Sequence, residues 1–187
     1  NIEFVDSEFG EIWYYNQGDY GQYYYSSNVQ VQQYTGSTGK PATIASHGCG
    51  PTSLAIILSS FEQREINPMT VTQQVCSAGG CYSSGSSYGT LATVAQTYGY
   101  KTQFVSRSGD ISKVTDALAS GDSLVIALMG KGTFTNGGHY IVLTGTRSDG
   151  SVSVADPASR TRTNKKWYSM NLVVEEAKDS GFLIITK

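Results

Sequence analysis

The chain has 187 residues, of which 39% are hydrophobic and 15% charged, and its net charge is −2. This length suits one domain with a sizeable core, so we predict a single domain over residues 1–187. No apolar run is long enough to insert into a membrane, and the weakly acidic balance gives no reason to expect nucleic acid as a partner. The basic stretch 160–166 is interpreted as a solvated hairpin rather than a phosphate-binding track.

Helical signals dominate the first half. Residues 1–45 are rich in Tyr, Gln and Gly with little periodicity, which predicts extended strands and loops. Pro51 then opens a helix with a buried stripe formed by Leu54, Ile57, Leu58 and Phe61. Three further helices are predicted from cap residues and glycine stops. They run from the Asn67-Pro68 cap to about Cys76, over 90–98 before Gly99, and from the Asp110 cap to Gly121.

Strand signals dominate the second half. Apolar and β-branched runs predict strands at 124–129, 140–144, 152–155 and 182–186. Asp149-Gly150 marks a turn between the second and third of these, and a short helix over 171–177 precedes the last. We therefore predict an α+β fold in which a helical N-terminal lobe packs on an antiparallel sheet lobe.

Two of the three cysteines bracket a short Gly-rich loop. Cys76 and Cys81 are predicted to form a disulfide, which places the protein outside the cytoplasm. The alternatives are two reduced thiols, or a zinc site with His47 and His139, which lacks a second ligand pair at zinc spacing. We expect no metal and no cofactor. The chain starts at Asn1 without a signal peptide, so we expect a segment of a longer secreted polypeptide that carries other domains.

Cys49 is the remaining thiol, and it lies between two glycines where a buried helix begins. Peptide dipoles and free N–H groups at a helix start favour the thiolate, and the flanking glycines allow a substrate backbone to approach. We predict that Cys49 is a nucleophile; the alternative is a small buried cysteine. His139, at the start of an apolar strand after two glycines, is the predicted base. His47 is disfavoured because its spacing from Cys49 points the two side chains apart.

Asp156 is the predicted acceptor that orients His139, although an Asp-Pro turn is the alternative role. A tight turn at Asp149-Gly150 would put Asp156 opposite Leu143, about 13 Å along the strand from His139. We therefore expect a wider loop or a bulge over 147–150 that brings Asp156 opposite His139. An oxyanion would be bound by the backbone N–H of Cys49 and a side-chain amide, with Gln17, Gln22, Gln30, Gln32 and Gln33 as candidates.

Together the segments 48–53, 138–140 and 156–157 resemble the bacteriocin-leader-processing peptidase-like family of the papain clan. The resemblance implies a papain-like fold, and the segment 14–19 implies Gln17 as the oxyanion donor, as in relatives from Gram-positive cell-wall and phage-type proteins. Leader peptidases hold their Gln a few residues before the cysteine. Residues 43–46 contain none, which argues against a leader-peptidase function.

The leading hypothesis is a secreted thiol hydrolase that cleaves an amide bond in peptidoglycan stems or cross-bridges through an acyl-enzyme on Cys49. The expected location is extracellular or cell-wall associated, in a Gram-positive bacterium, its phage or a mobile element. The alternatives are a peptidase that matures proteins or leader peptides, and a non-catalytic wall-binding module.

Overall fold

A computed structural model describes residues 2–26 and 41–187. The described strands are β1 Glu3–Ser7, β2 Gly10–Tyr14, β3 Cys81–Tyr82, β4 Gly85–Ser86, β5 Lys101–Val105, β6 Ser123–Met129, β7 His139–Thr146, β8 Ser151–Ala155, β9 Trp167–Ser169 and β10 Ala177–Thr186. The described helices are α1 Ile44–His47, α2 Cys49–Glu62, α3 Pro68–Ser77, α4 Tyr88–Thr97, α5 Ser112–Ser120, α6 Arg160–Lys165 and α7 Met170–Glu176, with a 3-10 turn at Gln17–Tyr20. Among these, no helix combines the length and the apolar character that a bilayer span requires.

Six strands form one antiparallel sheet in the order β5-β10-β6-β7-β8-β9. Helices α2 and α4 pack on one face around a core that includes Leu54, Leu91 and Val142. Helices α5 and α7 cover the other face around Val114, Val173 and neighbouring strand residues. The predicted α+β fold is confirmed: helices α1 to α4 precede residue 100, and the six-stranded antiparallel sheet follows it together with helices α5 to α7.

Helix α2 is the central element of the helical half. It starts at Cys49, two residues earlier than predicted, because Gly48 ends α1 and also serves as the N-cap of α2. The predicted buried stripe is too narrow, since every residue from Gly50 to Phe61 is buried. The helix contacts α3, α4, β2 and β7, so no side of it remains for solvent along most of its length.

The capped helices follow the sequence closely. The Asn67 side chain accepts a hydrogen bond from the Thr70 N–H at 2.9 Å at the start of α3, and Gly121 ends α5 with φ +82°. Other elements depart from the prediction. The basic stretch forms helix α6 rather than a hairpin, capped by the Ser159 side chain. Strand β5 was not predicted. Strands β1 and β2 form a hairpin within the region predicted to contain extended strands and loops, in agreement with that prediction.

Candidate active site

Cys49 and His139 come from the two halves of the fold. Cys49 is the first residue of α2, where the leading N–H groups of a helix have no acceptor within the helix. His139 is the first residue of β7 and pairs with Met129 of β6. The Cys49 thiol lies close enough to the His139 imidazole to raise the pKa of that ring, and both side chains line a cleft of about 280 Å³. Ser84, Gly85, Ser86, Leu128, Gly138, Tyr140 and Lys178 also line this cleft.

Asp156 lies behind His139, away from the thiol. His139 Nε2 lies 2.7 Å from Asp156 Oδ1, and the Asp156 side chain is fully buried. An ionised carboxylate only accepts hydrogen bonds, so Nε2 carries the proton and Nδ1 is the ring nitrogen that faces Cys49. This arrangement fixes the imidazole between thiol and carboxylate, as a thiol hydrolase requires.

The β7–β8 hairpin positions His139 and Asp156; it has the predicted wider loop after Thr146 but not the predicted register. Thr146 pairs with Val152 across a wider turn, and a bulge between Leu143 and Gly145 brings Val142 opposite Ala155. Continuing that register puts Asp156 level with Ile141, which is two residues, or about 7 Å, from the His139 position. Asp156 is therefore not directly opposite His139. The side chains meet along the diagonal, a distance that long side chains span on a sheet.

Hydrogen bonds and neighbouring charges determine the protonation of His139 and Asp156. Burial alone lowers the pKa of His139, but hydrogen bonds to Asp156 and Cys49 and their negative charges outweigh it and raise the pKa to about 9. Burial raises the pKa of Asp156, but His139, Arg162 and the Ala158 N–H together hold it below its usual value. The pair is therefore ionised at neutral pH, as imidazolium and carboxylate.

Arg162 is a member of the site that the sequence did not indicate. Its Nε donates to Asp156 Oδ2 at 2.6 Å, from helix α6. Thr163, on the same helix, accepts the Asp156 backbone N–H at 2.8 Å, and Asp156 Oδ1 accepts the Ala158 N–H at 2.8 Å. The stretch interpreted as solvated thus supplies a partly exposed counterion to the buried Asp156. The only sequence signal was the basic residue six positions after Asp156.

Gln17 connects the segment that follows Asp156 with the segment that precedes Cys49. Its backbone N–H donates to Pro157 O at 2.8 Å, and its side-chain Nε2 donates to Ala45 O at 2.8 Å, four residues before Cys49. Tyr14, three residues earlier, donates its hydroxyl to Asp156 O at 2.6 Å. Gln17 Oε1 is buried and has no hydrogen-bond partner in the described part of the chain.

The other candidates are placed differently. Gln22 is exposed, while Gln30, Gln32 and Gln33 lie outside the described residues. His47 makes hydrogen bonds through Nδ1 to Ser46 Oγ at 2.7 Å and through Nε2 to Ser83 O at 3.1 Å. Burial lowers the pKa of His47, which favours its neutral form. Those contacts hold His47 against the β3–β4 hairpin.

Cys76 and Cys81 form the predicted disulfide, with Cα atoms 4.8 Å apart. The bridge joins the end of α3 to strand β3, and β3 pairs with β4, which borders the cleft. Ser86 of β4 is held on two sides, because Tyr140 donates its hydroxyl to Ser86 O at 2.8 Å and the Tyr25 hydroxyl lies 2.6 Å from Ser86 Oγ. The alternative zinc site is excluded, since both thiols are consumed by the bridge.

Comparisons with known proteins bear on the family and the fold of the chain. The model of the Peptidase_C39 like family matches residues 24–178. The peptidase domain of Streptococcus ComA, a bifunctional ABC transporter involved in quorum sensing, matches with a TM-score of 0.52 and 16% identity, over 75% of this chain and 91% of that one. A C39-like peptidase from Bacillus anthracis matches with a TM-score of 0.48 and 17% identity, over 75% and 89%. No curated protein matches.

The fold and the contact between thiol, imidazole and carboxylate define a papain-like cysteine peptidase. The family match covers well over half of the chain and includes Cys49, His139 and Asp156, whereas Gln17 precedes it. The chain belongs to the Peptidase_C39-like family.

Proposed function

We propose that this peptidase is a secreted hydrolase of peptidoglycan, which cleaves an amide bond in the peptide stems or cross-bridges. The main support for this chemistry is that Cys49 and His139 line one cleft, while the buried Asp156 carboxylate holds the His139 ring from behind at 2.7 Å. The disulfide supports a location outside the cytoplasm. Exposed aromatic rings at Tyr23, Tyr24 and Tyr82 support contact with a polymer of sugars and peptides.

In the proposed acylation step, the Cys49 thiolate attacks the carbonyl carbon of the scissile amide and a tetrahedral oxyanion forms. The Cys49 backbone N–H and the Gln17 side-chain amide donate to that oxygen. The His139 imidazolium then gives its Nδ1 proton to the leaving nitrogen as the carbon–nitrogen bond breaks. Asp156 holds the imidazole in place throughout.

The thioester is then hydrolysed. Neutral His139 takes a proton from water as the water oxygen attacks the thioester carbon. The carbon–sulfur bond breaks, the product carboxylic acid leaves, and sulfur departs as the thiolate beside a newly protonated His139. The site therefore returns to its starting charges after each turnover without any external reagent other than water.

Mass spectrometry of muropeptides tests this proposal. Purified peptidoglycan is incubated with the wild-type protein and with Cys49→Ala, which removes the nucleophile without changing the fold. We expect new peptide termini with the wild-type protein and a loss of more than about 10³-fold with Cys49→Ala, because no acyl-enzyme can form. Retention of a few per cent of the activity by Cys49→Ala would remove Cys49 from the mechanism.

A second candidate function is the maturation of a protein or leader peptide, which family membership favours. Incubation with an unfolded protein such as reduced casein distinguishes the two. Cleavage of casein with intact muropeptides would replace the peptidoglycan proposal, whereas cleavage of muropeptides alone supports it.

A further inference from the structure

The cleft beside Cys49 contains one permanently charged side chain among the described residues that line it. Lys178 contributes to this lining from strand β10, while the remaining members are neutral apart from the ionisable Cys49 and His139. A cation beside the reacting atoms attracts substrates by their charge, because a cleft with low-dielectric walls focuses the field.

The Lys178 side chain passes Gly130 at ordinary contact distance and ends against Gly138, where a side chain would crowd its ammonium group. A Cβ on Gly130 would lie 3.6 Å from Lys178 Cγ, and a Cβ on Gly138 would lie 2.9 Å from Lys178 Nζ. Gly130 follows β6 and Gly138 precedes His139 directly, so the side chain extends across the β6–β7 connection. The ammonium group is thereby brought next to the residue that immediately precedes the catalytic base.

Lys178 makes no ion pair with the residues that the structure describes. The nearby Glu176 carboxylate is engaged elsewhere, because it accepts hydrogen bonds from the Thr133 N–H and, at 3.0 Å, from the Thr133 hydroxyl. The Lys178 ammonium therefore keeps its charge available to a molecule bound in the cleft.

We propose that Lys178 is a specificity residue that binds a carboxylate of the substrate within one or two residues of the scissile amide. Lysine acts as a mobile point charge with three donors, which suits a carboxylate at the partly solvated edge of a cleft. The preferred substrates are then acidic peptides rather than neutral or basic ones.

This inference rests on the proposed function for the identity of the substrate. Peptidoglycan stems carry free carboxylates close to their amide bonds, and some stems carry carboxamides in the same positions. The two forms differ in charge and hardly in shape. They are thus a matched pair for measuring what Lys178 contributes.

The first experiment needs no substrate, because it uses the alkylation rate of Cys49 by anionic iodoacetate divided by the rate with neutral iodoacetamide. We expect Lys178→Met to lower this ratio about two- to fivefold at low salt, the range of an exposed ion pair, and less at high salt. Lys113→Met, an exposed lysine on α5 away from the cleft, should leave the ratio unchanged. An equal ratio in Lys178→Met and the wild-type protein would overturn the proposal.

The second experiment compares stem peptides that carry a carboxylate or a carboxamide next to the cleaved bond. The wild-type protein should show a lower KM for the carboxylate form, Lys178→Met should show equal KM values, and Lys178→Glu should prefer the carboxamide. A wild-type protein that does not discriminate would also overturn the inference. If no stem peptide is cleaved but the alkylation ratio changes as expected, the peptidoglycan proposal fails and the role of Lys178 stands.

Discussion

Asp156 is the residue on which the charged groups of the site converge. Its two carboxylate oxygens accept hydrogen bonds from His139, from Arg162 and from the Ala158 N–H, while its backbone N–H donates to Thr163. A fully buried carboxylate is tolerated only when it is paired in this way, because desolvation of an unpaired charge is costly. The Asp-Pro turn and the catalytic interpretation are therefore compatible, since the Ala158 N–H within that turn donates to the carboxylate.

Arg162 offers a test of this network at one residue. Arg162→Met removes one of the two counterions of Asp156, so we expect the pKa of Asp156 to rise and the acidic limb of the kcat/KM profile to move to higher pH. The unfolding free energy should fall by about 1–2 kcal/mol. This loss is smaller than for a fully buried ion pair because the Arg162 side chain is 31% exposed. Arg162→Lys should restore part of both. A lower stability with an unchanged pH profile would show that Arg162 is only structural.

Gln17 offers a second test at residue scale. An oxyanion contact forms mainly in the transition state, so Gln17→Ala should lower kcat by about 10²–10³-fold with little change in KM. Alkylation of Cys49 should continue in this variant, because the thiolate–imidazolium pair is untouched. Gln22→Ala, at an exposed position, is the matched control. If Gln22→Ala is crippled and Gln17→Ala is active, the oxyanion role belongs to Gln22.

At the scale of elements, the disulfide connects helix α3 to the hairpin that borders the cleft. The Cys76→Ala/Cys81→Ala double variant should lose about 2 kcal/mol of stability, as expected for closing so short a loop, and about 4–8 °C in Tm. Intact-mass measurement without reductant, on protein recovered from the medium of a secreting host, should show one bridge and one free thiol. Three alkylatable thiols in that material would contradict both the bridge and the extracellular location.

Elements with local signals were predictable from the sequence. Each of these elements is determined by residues within or next to it: the Asn67-Pro68 start of α3, the glycine that ends α5, and the apolar runs of β6 and β7. Strand β5 is not. Its residues 101–105 are mostly exposed at the sheet edge, so no alternating or continuous apolar pattern appears. It is held in the sheet by pairing with β10, which lies about 80 residues later in the sequence, so local residues do not indicate it.

The same distinction applies to the candidate site. Cys49 and His139 stand out because glycines flank them at the start of a helix and of a strand. Arg162 reaches the site from helix α6, which lacks an apolar stripe. Lys178 reaches it from strand β10, which pairs with a strand distant in sequence. Neither position follows from spacing. The contact of Asp156 with His139 depends on a wider turn, which was predicted over 147–150, and on a bulge between Leu143 and Gly145, which was not.

At the scale of the whole molecule, the catalytic pair couples folding to pH. The His139 pKa rises from its ordinary value of 6.5 to about 9 in the folded state. The folded state therefore holds this proton more tightly than the unfolded chain does. The resulting stabilisation is fully present below about pH 6.5 and is lost as the pH rises through about 9. Asp156 makes stability depend on pH in the acidic range. Because its pKa is lowered in the folded state, it stabilises the fold above the ordinary carboxyl range, and this stabilisation is lost as the pH falls below that range.

Unfolding in urea, followed by tryptophan fluorescence between about pH 6 and 9, measures this coupling. We expect the unfolding free energy of the wild-type protein to decline across that range, because the folded state gives up the His139 proton only as the pH approaches its raised pKa. His139→Gln cannot titrate, so its stability should be lower near pH 6 and should change less with pH. Cys49→Ala removes one of the two groups that raise the pKa of His139, and its slope should fall between those of the wild-type protein and His139→Gln.

The tyrosines whose pKa is raised by burial, among them Tyr14 and Tyr25 at about 12, titrate above this window and leave the slope unaffected. Identical slopes for the wild-type protein and His139→Gln would mean that His139 is not held as an imidazolium in the folded state, and the proton donor for the leaving nitrogen would have to be sought elsewhere.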